Sequence, residues 1–94
     1  MKTSMILNYS DLLEMSETDP GYRSFRRGQN SFRNGDYENA IAQFDHARKC
    51  VPNFAVAYDF LGYSYLAIGN TREAAISFVW AEECREKGAE QDAR

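Results

Sequence analysis

The chain repeats itself at a spacing of 34 residues. Gly28, Gly35, Ala40, Phe44, Ala47 and Cys50 recur as Gly62, Gly69, Ala74, Phe78, Ala81 and Cys84. The same offset pairs Phe32 with Leu66 and Asp36 with Asn70. A fixed period in the range of about 20–50 residues marks stacked supersecondary units, each too small to bury its apolar face alone.

Each unit reads as two helices. Asp19 can cap free backbone N–H groups and Pro20 suits the first helical position, so a helix is expected from there to Arg33 or Asn34. Gly35 can adopt the left-handed conformation that ends it. Asp36 then caps a second helix, Tyr37 to Cys50, acidic at its start (Asp36, Glu38) and basic at its end (Arg48, Lys49), as the helix dipole favours. Pro52 closes the unit. In the second unit Asn53 is the expected cap of a helix running from Phe54 or Ala55 to about Ile68, and Gly69 ends it. Asn70 to Glu73 has capping-box spacing. The last helix starts near Thr71 and reaches Lys87 or beyond, with Gly88 the first plausible stop.

Ala40, Phe44 and Ala47 fall on one helical face, as do Ala74, Phe78 and Ala81. Small residues let helix axes approach toward the close end of the usual ~8–10 Å, and the phenylalanine fills the wedge. Gly28 and Gly62 each cost about 1 kcal/mol inside a helix. Their recurrence at one repeat position points to close helix contact. The expected fold is therefore all-α.

Residues 1–18 are less regular. Met5, Ile6, Tyr9, Leu12 and Leu13 trace a three- and four-residue stripe, read as a lone helix covering the N-terminal end of the stack. A flexible arm that orders on a partner is the rival reading. The organisation expected is 1–18 as cap or arm, then 19–94 as the repeat domain, with repeats 21–54 and 55–88.

From this point the pattern resembles the tetratricopeptide repeat. The match runs from Gly21 to about Gly88. Repeat two carries the family motif as Tyr58, Leu61, Gly62, Tyr65, Ala74, Phe78 and Ala81, with Glu86 where a proline is usual. Repeat one carries Gly28, Ala40, Phe44, Ala47 and Pro52, and departs at Ser24, Arg27 and Ser31, where larger apolar residues are common. The resemblance implies a right-handed superhelical stack of antiparallel helix pairs, with the additional N-terminal helix. It also implies a protein-binding role, with a groove lined by the first helix of each repeat.

By that resemblance the groove positions are Tyr22, Phe25, Arg26, Gln29, Phe32 and Arg33, then Val56, Asp59, Tyr63, Leu66 and Ala67. Members that clamp a C-terminal carboxylate use basic residues and asparagines at set positions. Phe25, Gln29 and Tyr63 stand at those positions in this chain, so the ligand expected is an apolar or amphipathic peptide or helix. The alternative is a small chaperone or assembly subunit. Ile76, Val79 and Trp80 add apolar bulk to the last helix, and repeat one has Asp45 and His46 where Val79 and Trp80 stand. Since about three repeats are needed to bury a continuous core, this surface is a candidate interface for a homodimer or a partner protein.

Several classes are set aside. A net charge of −3 and a basic cluster limited to Arg23, Arg26, Arg27 and Arg33 argue against nucleic acid. No stretch approaches the ~18–20 apolar residues of a membrane span, and the N-terminus lacks a secretory pattern, so a cytoplasmic location is expected. His46 is the only histidine and is read as a surface residue. It cannot supply a catalytic triad or a zinc site alone. Cys50 and Cys84, about 10 Å apart if the repeats stack, are read as buried thiols rather than a disulfide. Neither enzyme activity nor a metal or other cofactor is expected.

Overall fold

The computed structural model describes residues 19–92, with side chains to residue 87. The expected cap or arm over 1–18 lies outside the described residues. Four helices follow one another: α1 (Pro20–Arg33), α2 (Tyr37–Cys50), α3 (Ala55–Ala67) and α4 (Thr71–Asp92). Among the described residues there is no strand. Packing follows chain order, α1 on α2, α2 on α3 and α3 on α4.

The helix boundaries have local causes. The Asp19 carboxylate accepts from the N–H groups of Gly21 (2.9 Å) and Tyr22 (3.1 Å). At the far end of α1, Gly35 lies at φ 82°, its N–H donates to Phe32 O, and the Asp36 N–H donates to Ser31 O. The end of α3 repeats this geometry with Gly69 at φ 82°, Gly69 N–H to Leu66 O and Asn70 N–H to Tyr65 O. Both are Schellman closures, which require a residue in the left-handed region. Asp36 and Asn70 then cap the next helices by accepting from Asn39 N–H (3.3 Å) and Glu73 N–H (3.2 Å). The 34-residue identity is thus an identity of backbone geometry.

One cap differs from expectation. Asn53 does not cap α3. It adopts φ 58° in the preceding turn, a conformation asparagine tolerates better than most residues, and Phe54 precedes the helix with no side-chain cap. Phe54 is instead fully buried, so packing anchors this helix start. The last helix reaches beyond Lys87 as expected, passing Gly88 and continuing to Asp92. Unlike Gly35 and Gly69, Gly88 has no left-handed φ.

The core is aromatic and small-residue in composition. Phe25, Phe44 and Phe54 are at most 1% exposed, and Ala40, Ala47, Ala74 and Ala81 are buried, as the close-packing argument requires. Phe25 meets Phe44 at 5.6 Å, Phe54 at 5.1 Å and Phe60 at 5.5 Å between ring centroids. Phe44 meets Phe60 at 5.2 Å. All lie within the favourable aromatic range of about 4.5–7 Å. The buried hydroxyls of Ser64 and Ser77 donate to carbonyls one turn back in their own helices, Phe60 O and Glu73 O, which satisfies them without a partner helix.

Candidate functional site: a groove, a cleft and an uncovered helix face

At 3.6 residues per turn, α3 presents distinct faces. Tyr63 and Leu66 share one, and it remains open, with the two side chains 50% and 48% exposed. Tyr63 stands edge-on to Phe60 (6.1 Å) and Phe78 (5.3 Å). Phe60 in turn meets Phe32 of α1 at 6.0 Å, and Phe32 meets Tyr37 at 5.3 Å. Phe32, Phe60 and Tyr63 therefore form a continuous aromatic surface from α1 to α3. On α1, Gln29 is half-buried and Arg33 is exposed, donating to Asn30 Oδ1 at 3.3 Å. Arg26 lies over the half-buried ring of Tyr22 at 5.7 Å. Val56 is half-buried and Ala67 exposed.

Two expected groove residues are placed otherwise. Phe25 is 1% exposed at the centre of the core, so it supports the fold and offers no surface to a ligand. Asp59 turns toward α4, where its carboxylate accepts from both terminal nitrogens of Arg85 at 2.8 and 3.3 Å. That hydrogen bonding holds the Arg85 guanidinium above its ordinary pKa. Phe60 was missing from the expected set. Its repeat equivalent is Arg26, so the repeat comparison gave no hint of a core-facing aromatic there.

On another side of α3, a cleft of about 320 Å³ opens between α2 and α4. Asp45 and Arg48 of α2, Tyr58 and Tyr65 of α3, and Glu73 and Trp80 of α4 line it. Arg48 bonds Asp45 at 2.7 Å, donates to the Tyr58 hydroxyl at 3.4 Å and lies 5.6 Å from that ring centroid. Lys49 also approaches Asp45, at 3.2 Å. Burial opposes ionisation of Asp45, but hydrogen bonds and charge from Lys49 and Arg48 outweigh it and lower its pKa. Burial likewise disfavours the Arg48 charge, and its bonds to Asp45 and Tyr58 more than restore it.

The outer face of α4 carries Ile76, Val79 and Trp80 at 40%, 58% and 48% exposure. With Ala75 and Glu83 they line a shallow apolar hollow of about 290 Å³. The sequence placed these three residues on a surface, and the structure leaves them uncovered among the described residues.

His46 and Cys50 sit differently from expectation. His46 is exposed overall, yet its Nδ1 is hydrogen-bonded to the buried Ser24 hydroxyl at 2.5 Å. Ser24 thus departs from the repeat pattern as half of an interhelical bond. Cys84 is buried, with its thiol pKa pushed up by burial, but Cys50 is exposed. The backbone at Cys50 still packs on α1, where a Cβ on Gly21 would lie 3.3 Å from Cys50 Cβ, but the residue as a whole is exposed. Among the described residues, no group of three His, Cys, Asp or Glu side chains converges on a metal-sized space, and no helix is long and apolar enough to cross a membrane.

No family model, curated protein or solved structure matches this chain. What it shares with helical-repeat proteins is the architecture itself: successive antiparallel helix pairs in an all-α domain.

Proposed function

We propose that this is a cytoplasmic protein-binding module of the tetratricopeptide type, a right-handed stack whose groove takes an apolar or amphipathic peptide or helix. The floor is Phe32, Phe60 and Tyr63, with Leu66 beside them and Gln29 and Arg33 on the α1 side. The observation that carries this reading is the exposure of Tyr63 and Leu66 one helical turn apart, 50% and 48%, against a half-buried aromatic floor. Side chains of this size lose water-exposed apolar area when a peptide covers them, worth roughly 25 cal/mol per Å². Tyrosine is also enriched among the residues that dominate binding energy.

The test is selection from a displayed peptide library against wild type and Tyr63→Glu side by side. Peptides with apolar residues at helical or alternating spacing should bind wild type and lose at least tenfold in affinity with the variant. Equal affinity for both proteins would exclude this groove.

A second reading rests on the exposed Ile76, Val79 and Trp80: α4 is an assembly face, used for a homodimer or for docking to a protein partner. It predicts concentration-dependent association that Trp80→Glu abolishes while helicity survives. A stable monomer at all concentrations would remove the homomeric form.

A further inference from the structure

The cleft between α2 and α4 is where the two repeats part company. Its lining residues Tyr58, Tyr65, Glu73 and Trp80 occupy the repeat positions of Ser24, Ser31, Asn39 and His46. In repeat one these four side chains form two polar pairs: Ser24 bonds His46 at 2.5 Å and Asn39 donates to Ser31 at 2.6 Å. In repeat two the same pairs become aromatic and acidic. Tyr58 and Trp80 stack with centroids 6.4 Å apart and planes 25° apart. Tyr65 and Glu73 face the same space without a hydrogen bond between them. Small polar groups paired with one another in repeat one are replaced in repeat two by ring faces and a carboxylate that line the cleft.

The charged residues that line the cleft, Asp45, Arg48 and Glu73, leave one negative charge uncancelled. Asp45 and Arg48 neutralise each other at 2.7 Å, and Lys49 reaches Asp45 from the exposed side. The half-buried Glu73 has no ion-pair partner among the described residues. The local field registers on Tyr65, whose hydroxyl pKa is raised first by burial, then by the charges of Glu73 and Asp45, with Arg48 opposing. Ring faces attract cations through their quadrupole, more strongly when water is displaced. At about 320 Å³, the space lies near the small end of ligand sites, ~300 Å³ upward, and suits one long side chain.

We propose that this cleft binds a cationic side chain, arginine or lysine, of a partner polypeptide, held against Tyr65 and Trp80 with Glu73 as its counter-ion. The site lies on a different face of α3 from Tyr63 and Leu66, so it stands independently of the groove.

Trp80 is the only tryptophan, and its fluorescence reports the site directly. The probes are acetyl-arginine amide and acetyl-lysine amide at constant ionic strength, with acetyl-citrulline amide as the uncharged isostere of arginine. We expect a saturable change with the two cations in the low-millimolar range, of the order a cation–π contact with a carboxylate provides. Citrulline should give at least fivefold weaker binding. Glu73→Gln should weaken the cations at least fivefold, whereas Glu86→Gln, an equal charge change roughly 20 Å along α4, should not. Circular dichroism checks that both variants fold. Tyr65→Ala should also lose binding, which gives a second route if Glu73→Gln is misfolded. No saturation below ~50 mM, equal response to citrulline, or equal loss in both glutamine variants would overturn the proposal.

Discussion

Gly28 lies against the ring of Phe44: a Cβ on Gly28 would come within 2.6 Å of it. Gly62 stands in the same relation to Phe78, at 2.5 Å. Glycine is disfavoured inside a helix, so these two positions give up local stability to let a ring from the next helix lie on the backbone. Alanine would recover about 1 kcal/mol of helix propensity but force the ring to move, at a cost of ~1–3 kcal/mol for overpacking. Phe44 is fully buried, while Phe78 is only partly so. Gly28→Ala should therefore be the more destabilising change, and Gly62→Ala nearer neutral. Urea denaturation of the two variants checks the order.

Phe25 and Tyr63 were both expected in the groove, and the structure separates them. Phe25→Ala should cost ~3–5 kcal/mol, the range for emptying a buried aromatic site. Tyr63→Ala should cost less than half of that, since its ring is 50% exposed. Thermal unfolding followed by circular dichroism distinguishes them. A Phe25 substitution is thus a test of folding, not of binding.

How far the sequence reached follows from these cases. Helix boundaries, the two left-handed glycines and the buried alanines were legible because each is a local requirement repeated at one offset. Phe25 was misplaced because a groove position inherited from a resemblance says nothing of which neighbours converge on it. Three other rings do. Phe60 and the α2–α4 cleft were not legible. Both arise where repeat two departs from repeat one, at positions that carry no identity across the 34-residue offset. Ser24 and His46 each stand out in the sequence, but their bond joins residues 22 apart, which neither helix periodicity nor a motif connects.

Stability should fall at both ends of the pH scale for identifiable reasons. Burial works against the Asp45 carboxylate, yet Lys49 and Arg48 hold its folded pKa below the ordinary value. That contribution is complete above the unfolded pKa and is lost as pH drops through the folded one, below about pH 4. Asp45→Asn should flatten the acid limb. Tyr65 and Cys84 are raised, chiefly by burial. Their contributions are present below the ordinary phenol and thiol values and disappear as pH rises through the folded ones, above roughly pH 8.5–10. Tyr65→Phe and Cys84→Ser should each flatten part of the alkaline limb. Melting temperature against pH reads both.

The two cysteines share a repeat position but not an environment. Cys50 is exposed and Cys84 buried with a raised thiol pKa. Because the thiolate is the reactive form, a thiol-specific disulfide reagent at pH 8 should modify Cys50 at least tenfold faster. The second thiol should react at the same rate as the first only under denaturing conditions. Comparison with Cys50→Ser assigns the phases.

The central functional claim is that ligand is taken on the open face of α3 across to α1. Backbone amide chemical shifts, followed during titration with a peptide selected for binding, test it most directly. The largest changes should cluster at Gln29, Phe32, Arg33, Tyr63 and Leu66. Changes confined to Ile76, Val79 and Trp80 instead would contradict the groove and assign binding to the outer face of α4.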